Sequence, residues 1–326
     1  MADKHTNLIV SQAPHVASPV DTRRIMADVL IALAPACIYA IYMFGISAFG
    51  LLAVCVVSCV VFEWLTRKIL KRPQTVGDLS AVVTGVLLAL NLPSSLPYWM
   101  AVIGCFIAIV CVKQLFGGLG QNFANPAITA RIALFVGFSS YMTSWPVNSH
   151  MDSAILQAAA DAASSPTPLV MIAKNMQLPS YISMFLGKIN GSMGEISTLL
   201  LLLGGIYLVC RKVISPIIPV CFIGTAAVLS MLFGYDPIYQ VCAGGLVLGA
   251  IFMATDYVTS PITPAGKVIF GIGCGVLTML IRIFGSYPEG VSFSILIMNI
   301  LTPQINQWTR KKPRKGTVLK EGANGK

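Results

Sequence analysis

The stretch GVLLALNLPSSLPYWMAVIGCFIAIVCVKQLFGG, residues 85–118, decides the fold of this chain. A glycine-bearing apolar run ends on Asn91 and Pro93, and a second run opens after Pro97 and closes on Phe116-Gly117. Apolar runs broken by proline rather than by charge read as membrane helices, with unwound backbone that lines a cavity or is buried in protein. The same grammar returns in GAIFMATDYVTSPITPAGKVIFGIGCGVLTMLIRIFGS, residues 249–286, with Asp256 and Pro261 at the break.

Working outward, the 326 residues are 56% hydrophobic and 10% charged, with a mean hydropathy of +0.79. A soluble domain carries about 25% charged residues, so a soluble enzyme and a disordered chain are both excluded. Runs of about 20 apolar residues, shorter where Gly or Pro interrupts, fit ten times. They cover residues 26–45, 46–66, 78–92, 97–116, 126–143, 196–210, 213–233, 238–255, 266–284 and 291–308. The expectation is an all-α integral membrane protein of about ten transmembrane helices. If the two quoted stretches are copies, spans three to five correspond to spans eight to ten. A shift of five is odd, so the second copy crosses in the opposite sense, giving two inverted five-helix repeats with broken helices at matching places.

Charge sets the sidedness. The net charge of +10 does not read as nucleic-acid binding, because the basic residues lie between apolar runs and in the tail from Arg310 rather than along one face. With the N-terminus inside, 19 of the 22 Lys and Arg fall on the cytoplasmic side, Lys113 and Arg131 among them. Lys174, Lys188 and Arg282 fall outside. The first residues lack the apolar core and cleavage site of a signal peptide. The organisation expected is a cytoplasmic segment (1–25), a first repeat (26–143), an extracytoplasmic loop (144–195), a second repeat (196–309) and a basic cytoplasmic tail (310–326).

Few polar residues lie inside the spans. Asp28, Glu63 and Asp78 fall near cytoplasmic ends, where Arg23, Arg24, Arg67 and Lys68 are available to pair with them. Asp256, at the break in the second repeat, is placed either to cap the next helix or to hold a cation or cofactor. Asn125 precedes Pro126 as a helix N-cap, and the glycines before it permit close backbone approach to a planar ligand while Asn122 and Asn125 offer donors and acceptors. The nine cysteines lie in or beside apolar runs without C-x-x-C spacing and read as small core residues. The three histidines, His5, His15 and His150, form no metal-ligand cluster in sequence, so no metal is expected. By composition, residues 161–169 are a Pro-bounded turn.

The run from Ser11 to His15, followed by Thr22 to Pro35, resembles the D subunit of the Rnf complex, in a family related to the B subunit of the sodium-pumping NADH:quinone reductase. The likeness continues through GLGQNFANPA, residues 118–127, and FMATDYVTSP, residues 252–261. It implies a membrane subunit of an ion-translocating ferredoxin:NAD+ oxidoreductase in a bacterial or archaeal cytoplasmic (inner) membrane, not catalytic alone. Such a subunit carries electrons through flavin while the complex moves Na+ or H+. Its implied partners are the A, B, C, E and G subunits of the Rnf complex, a flavin transferase and membrane lipid. The family attaches FMN to a threonine of a motif like D-x-x-[ST]-G-A-T, onto which Asp161, Ser164 and the acceptor Thr167 fall. Ser165 and Pro166 replace its Gly and Ala, and Pro166 fixes φ and removes an N–H just before the acceptor. The resemblance also implies a noncovalent riboflavin near Asn122 and Asn125. The alternative is a urea- or ammonium-type solute channel or transporter on the same scaffold, since fold does not fix function.

Overall fold

The computed structural model describes residues 21–146, 150–151, 153, 155–156, 166–174, 176–285 and 290–310, and every regular element among them is a helix. Helices α1 (Thr22–Phe44) and α2 (Ile46–Ile69) meet at Gly45, whose φ of 71° few L side chains adopt. Then follow α3 (Ser80–Leu90), α4 (Tyr98–Phe106, continuing as a π-helix over Ile107–Gln114), α5 (Pro126–Gly137) and the short α6 (Ser139–Met142). Two further short helices are α7 (Pro168–Ala173) and α8 (Tyr181–Leu186). The remaining elements are α9 (Thr198–Cys210), α10 (Ile217–Leu232), α11 (Pro237–Cys242), α12 (Leu246–Leu248, continuing as a π-helix over Gly249–Met253), α13 (Pro264–Phe284) and α14 (Val291–Thr309).

Length sorts these helices. At 1.5 Å per residue the 23, 24 and 21 residues of α1, α2 and α13 reach beyond the roughly 30 Å of a hydrocarbon core. These three are long and apolar enough to cross a membrane. The apolar α3, α5, α9, α10 and the continuous α4 are shorter. The 11 residues of α3 reach only about 16 Å and stop at Asn91, where the chain unwinds to Pro97.

One apolar core runs through both halves, with Leu33, Leu51, Leu88, Ile128, Phe222, Phe270 and Ile295 almost fully buried. Helix α2 lies on α3 and α4; α10 lies on α13 and on the π-helix after α12. Across the seam, α1 packs on α9 and α5 on α14. Gly271 and Gly275 of α13, one turn apart, make close approach possible, since a Cβ at either would sit 3.0 Å from a backbone oxygen of α10, at Ile218 and Phe222. Side chains such as Ile38, Ile46, Val57 and Val220 point outward, a surface suited to lipid. A smaller cluster joins Met151, Ile155, Leu169, Met171, Met184 and Tyr239, with Phe44 packed between it and the main core.

Buried charges depart from the sequence expectation. Lys113 and Arg131, counted among loop charges, are 2% and 5% exposed. Lys113 donates to Glu63 Oε2 at 2.7 Å and to Ser80 Oγ at 2.6 Å, so Glu63 pairs with Lys113 rather than with Arg67 or Lys68. Asp28 takes Arg211 at 3.4 Å and the Tyr207 hydroxyl at 3.0 Å in place of Arg23 or Arg24. Asp78 accepts from the backbone N–H of Ser80. Desolvation explains the pattern: a charge on an inward helix face is tolerated only where a partner meets it.

Candidate functional site

Two broken helices meet at Met253. The Asn125 side-chain carbonyl accepts from the N–H groups of Ala127 at 3.0 Å and Ile128 at 3.3 Å, capping α5 with Pro126 in its first turn. Its amide donates 3.2 Å to the Met253 carbonyl, a group left without an ordinary helical partner where the π-helix ends. Asn91, at the end of α3, donates to Leu87 O at 2.6 Å and has its amide nitrogen 3.6 Å from Met253 Sδ. A single asparagine thus caps a helix of the first half and holds the unwound backbone of the second.

Beside this junction lies a cleft of about 100 Å³, walled by Met26, Leu119, Phe252 and Val258 and bearing Lys113, Asn122, Asn125 and Asp256. Asn122 donates to the Ala124 carbonyl at 2.9 Å, and its side chain also interacts with the Asp256 carboxylate. Asp256 accepts from Thr259 Oγ1 at 3.1 Å. It does not cap the next helix: Thr263 does, accepting from the Gly266 N–H at 3.0 Å. Asp256 is instead bonded within its own turn, by Thr259 and the backbone of Tyr257 and Val258, at the edge of the cleft. The lining joins apolar walls to an ammonium, a carboxylate and amides, in a space smaller than the roughly 300–1,000 Å³ usual for small-molecule pockets. Asn125 has its carbonyl and one N–H committed to the protein, so Asn122 retains more capacity for a ligand.

Thr167 stands apart, at the N-cap of α7, beside Leu169 and Met171 of the smaller cluster. Its carbonyl accepts from Met171 N at 3.0 Å, while its hydroxyl takes no part in capping; the residue is 4% exposed. The hydroxyl is thus not spent on the helix it precedes, and the side chain is covered. Asp161, Ser164 and Ser165 lie outside the described residues.

One constellation escaped the sequence reading. Arg131 donates to Ser292 Oγ at 2.8 Å and Asn91 Oδ1 at 3.4 Å and lies 3.8 Å from Glu195 Oε1. Glu195 belongs to a buried stretch whose Met193 and Gly194 N–H groups donate to the carbonyls of Leu92 and Leu90 at 3.3 and 2.6 Å. Arg131 therefore ties together α3, α5, α14 and the approach to α9. A lone Arg five residues into an apolar run was the available signal.

The family model described as NQR2, RnfD, RnfE matches residues 9–315. The chain is 46% identical to the D subunit of the Na+-translocating ferredoxin:NAD+ oxidoreductase complex of Acetobacterium woodii, over 97% of this chain and 98% of that one. It is 42% identical to the proton-translocating counterpart of Clostridium ljungdahlii, over 92% and 94% of the two chains. It is 39% identical to the D subunit of the ion-translocating oxidoreductase complex of Rhodobacter capsulatus, over 82% and 84%. With nearly its whole length matched, the chain belongs to the NQR2, RnfD, RnfE family.

Proposed function

We propose that this chain is the D-type membrane subunit of an Rnf-type ferredoxin:NAD+ oxidoreductase, passing electrons through flavin while the complex moves Na+ or H+. The observation that carries the reading is the near end-to-end correspondence with relatives named as the D subunit of such complexes. The convergence of Asn122, Asn125 and Asp256 on one cleft supports it. The A, B, C, E and G subunits of the Rnf complex are the partners, with a flavin transferase for maturation.

In this reading ten spans form two inverted five-helix repeats in a bacterial or archaeal cytoplasmic membrane, with both termini inside. Support comes from the shared packing order of α2 on α3 and α4 and of α10 on the α12 extension and α13, and from the pairing of α1 with α9 and α5 with α14. Thr167 then faces outward and the cleft opens toward the cytoplasm. Bound flavin supplies redox chemistry that the protein tunes by packing, charge and hydrogen bonds. Thr167 holds FMN through a phosphodiester. Asn122, Lys113 and Asp256 meet the polar edges of a riboflavin, and Asn125 keeps the cleft walls in register by tying α5 to Met253. The apolar walls exclude water from the ring.

The solute-channel alternative draws less support, because the seam between the halves is crossed by the buried Arg131–Glu195 contact that a passive path must skirt. The test is in-gel flavin fluorescence of the denatured chain made alongside an active flavin transferase. Wild type fluoresces and Thr167→Ala is dark. A dark wild type overturns the covalent-flavin reading.

A further inference from the structure

Beside the α1–α2 turn lie two adjoining cavities of about 320 and 490 Å³, which share Tyr42, Met43 and His150. Each is within the roughly 300–1,000 Å³ usual for small-molecule pockets, and neither includes a residue of the Asn122 cleft. Their walls are aromatic and basic. Tyr42 has its ring centroid 5.4 Å from that of His150 and 6.1 Å from that of Tyr39, and Lys188 and Ser183 line the larger cavity. A tyrosine of a lipid-facing aromatic belt explains only exposure. Tyr42 is 65% exposed yet turned into a space bounded by a histidine and a lysine, the lining expected for an aromatic ligand that bears negative charge.

Thr167 lines neither cavity, but the helix it precedes packs into the cluster beside them. Phe44, two residues beyond Tyr42, rests on the cluster that contains Leu169, two residues beyond Thr167. Met184 of that cluster adjoins Ser183, and Met151 belongs to both the cluster and the larger cavity. A group tethered on Thr167 therefore has an aromatic-lined space within the same packed unit.

We propose that the cleft bounded by Tyr42, His150 and Lys188 seats the isoalloxazine ring of the flavin held on Thr167, with Tyr42 stacked on the ring and the Lys188 ammonium beside its polar edge. The inference rests on the covalent-flavin reading above. Stacking on tyrosine quenches flavin emission and fixes the ring, and a nearby cation stabilises the reduced, more negative form. Tyr42 and Lys188 are thus positioning and tuning residues, not part of the attachment.

The experiment uses the full chain, made with its flavin transferase and purified in detergent. In-gel fluorescence after denaturation reports attachment alone, while emission of the folded protein and the flavin midpoint potential report the seat. The proposal expects quenched emission in folded wild type. It expects severalfold brighter folded emission in Tyr42→Leu at unchanged in-gel loading, and a lower midpoint potential in Lys188→Met, also at unchanged loading. Tyr42→Trp, which keeps an oxidisable aromatic ring in the seat, should keep the emission quenched, which a folding defect would not. Equal folded emission in wild type and Tyr42→Leu, both fully loaded, overturns the proposal. If wild type carries no covalent flavin, the attachment reading fails separately, and the chain is titrated with lumiflavin. Tyr42-dependent quenching then supports the seat, and its absence overturns it.

Discussion

Asn125→Ala removes two things at once. The helix cap to Ala127 and Ile128 is worth about 1 kcal/mol, within a range of roughly 0.5–2. Loss of the amide leaves the buried Met253 carbonyl without that donor, at a cost of about 1–3 kcal/mol. Together the substitution costs about 2–4 kcal/mol. Asn125→Ser separates the two, since its hydroxyl still accepts at the start of α5 but is too short to reach the Met253 carbonyl. The expected order of stability is wild type, Asn125→Ser, Asn125→Ala, with the two variants about 1 kcal/mol apart. Thermal unfolding in detergent, followed by tryptophan emission, reads the order; at about 2 °C per kcal/mol, Asn125→Ala falls by about 4–8 °C. If Asn125→Ser unfolds at or below Asn125→Ala, the cap is not a separate contribution and the two-part account of this residue is wrong.

Breaking the Arg131–Glu195 contact from one side, by Arg131→Met or Glu195→Gln, should cost about 3–5 kcal/mol in unfolding experiments, while the double variant recovers part of the loss. Lys113→Met strands Glu63, which is fully buried, and should destabilise by a similar amount of about 3–5 kcal/mol; Glu63→Gln on that background should rescue it. Gly194→Ala places a Cβ 2.9 Å from the Leu90 carbonyl oxygen and 2.7 Å from Leu248 Cδ2, and a loss of about 1–3 kcal/mol is expected in the same assay. Asp256→Asn should impair ion transport coupled to electron flow in the assembled complex while leaving assembly intact, measured in inverted vesicles; unchanged coupling removes Asp256 from the proposed site.

What the sequence made legible was whatever depends on local pattern. Apolar length and proline breaks located the long helices, and the Asn125-Pro126 pair located a cap that the structure has atom for atom. Lys113 and Arg131 were misread because a positive charge at the end of an apolar run looks the same in sequence whether it faces water or a buried carboxylate. Their partners are 50 residues away at Glu63 and 64 away at Glu195, and only packing reveals them. The capping role open to Asp256 falls instead to Thr263, a neighbour better placed at the helix start. Asn122 and Asn125 were singled out together and Asp256 apart from them, and the meeting of all three in one cleft follows from the contact of α5 with the end of the α12 extension, a long-range fact no local pattern carries.

The two π-helical stretches close on i to i+5 hydrogen bonds, Leu115 N to Val110 O at 3.0 Å and Ala254 N to Gly249 O at 2.8 Å. Each is equivalent to one residue of chain spliced into an α-helix, a local edit of length rather than of chemistry. Deleting a single residue between 107 and 110 would restore ordinary winding with the later residues facing as they do now, whereas keeping that residue in ordinary α winding would swing everything after it by about 100°. Lys113 would then turn away from Glu63 with its side chain unchanged. In this family member the register of the polar machinery is written in the spacing of apolar residues, so a one-residue gap at the π stretch of an otherwise matching relative preserves what its lysine can reach, and the same gap elsewhere in the helix changes it.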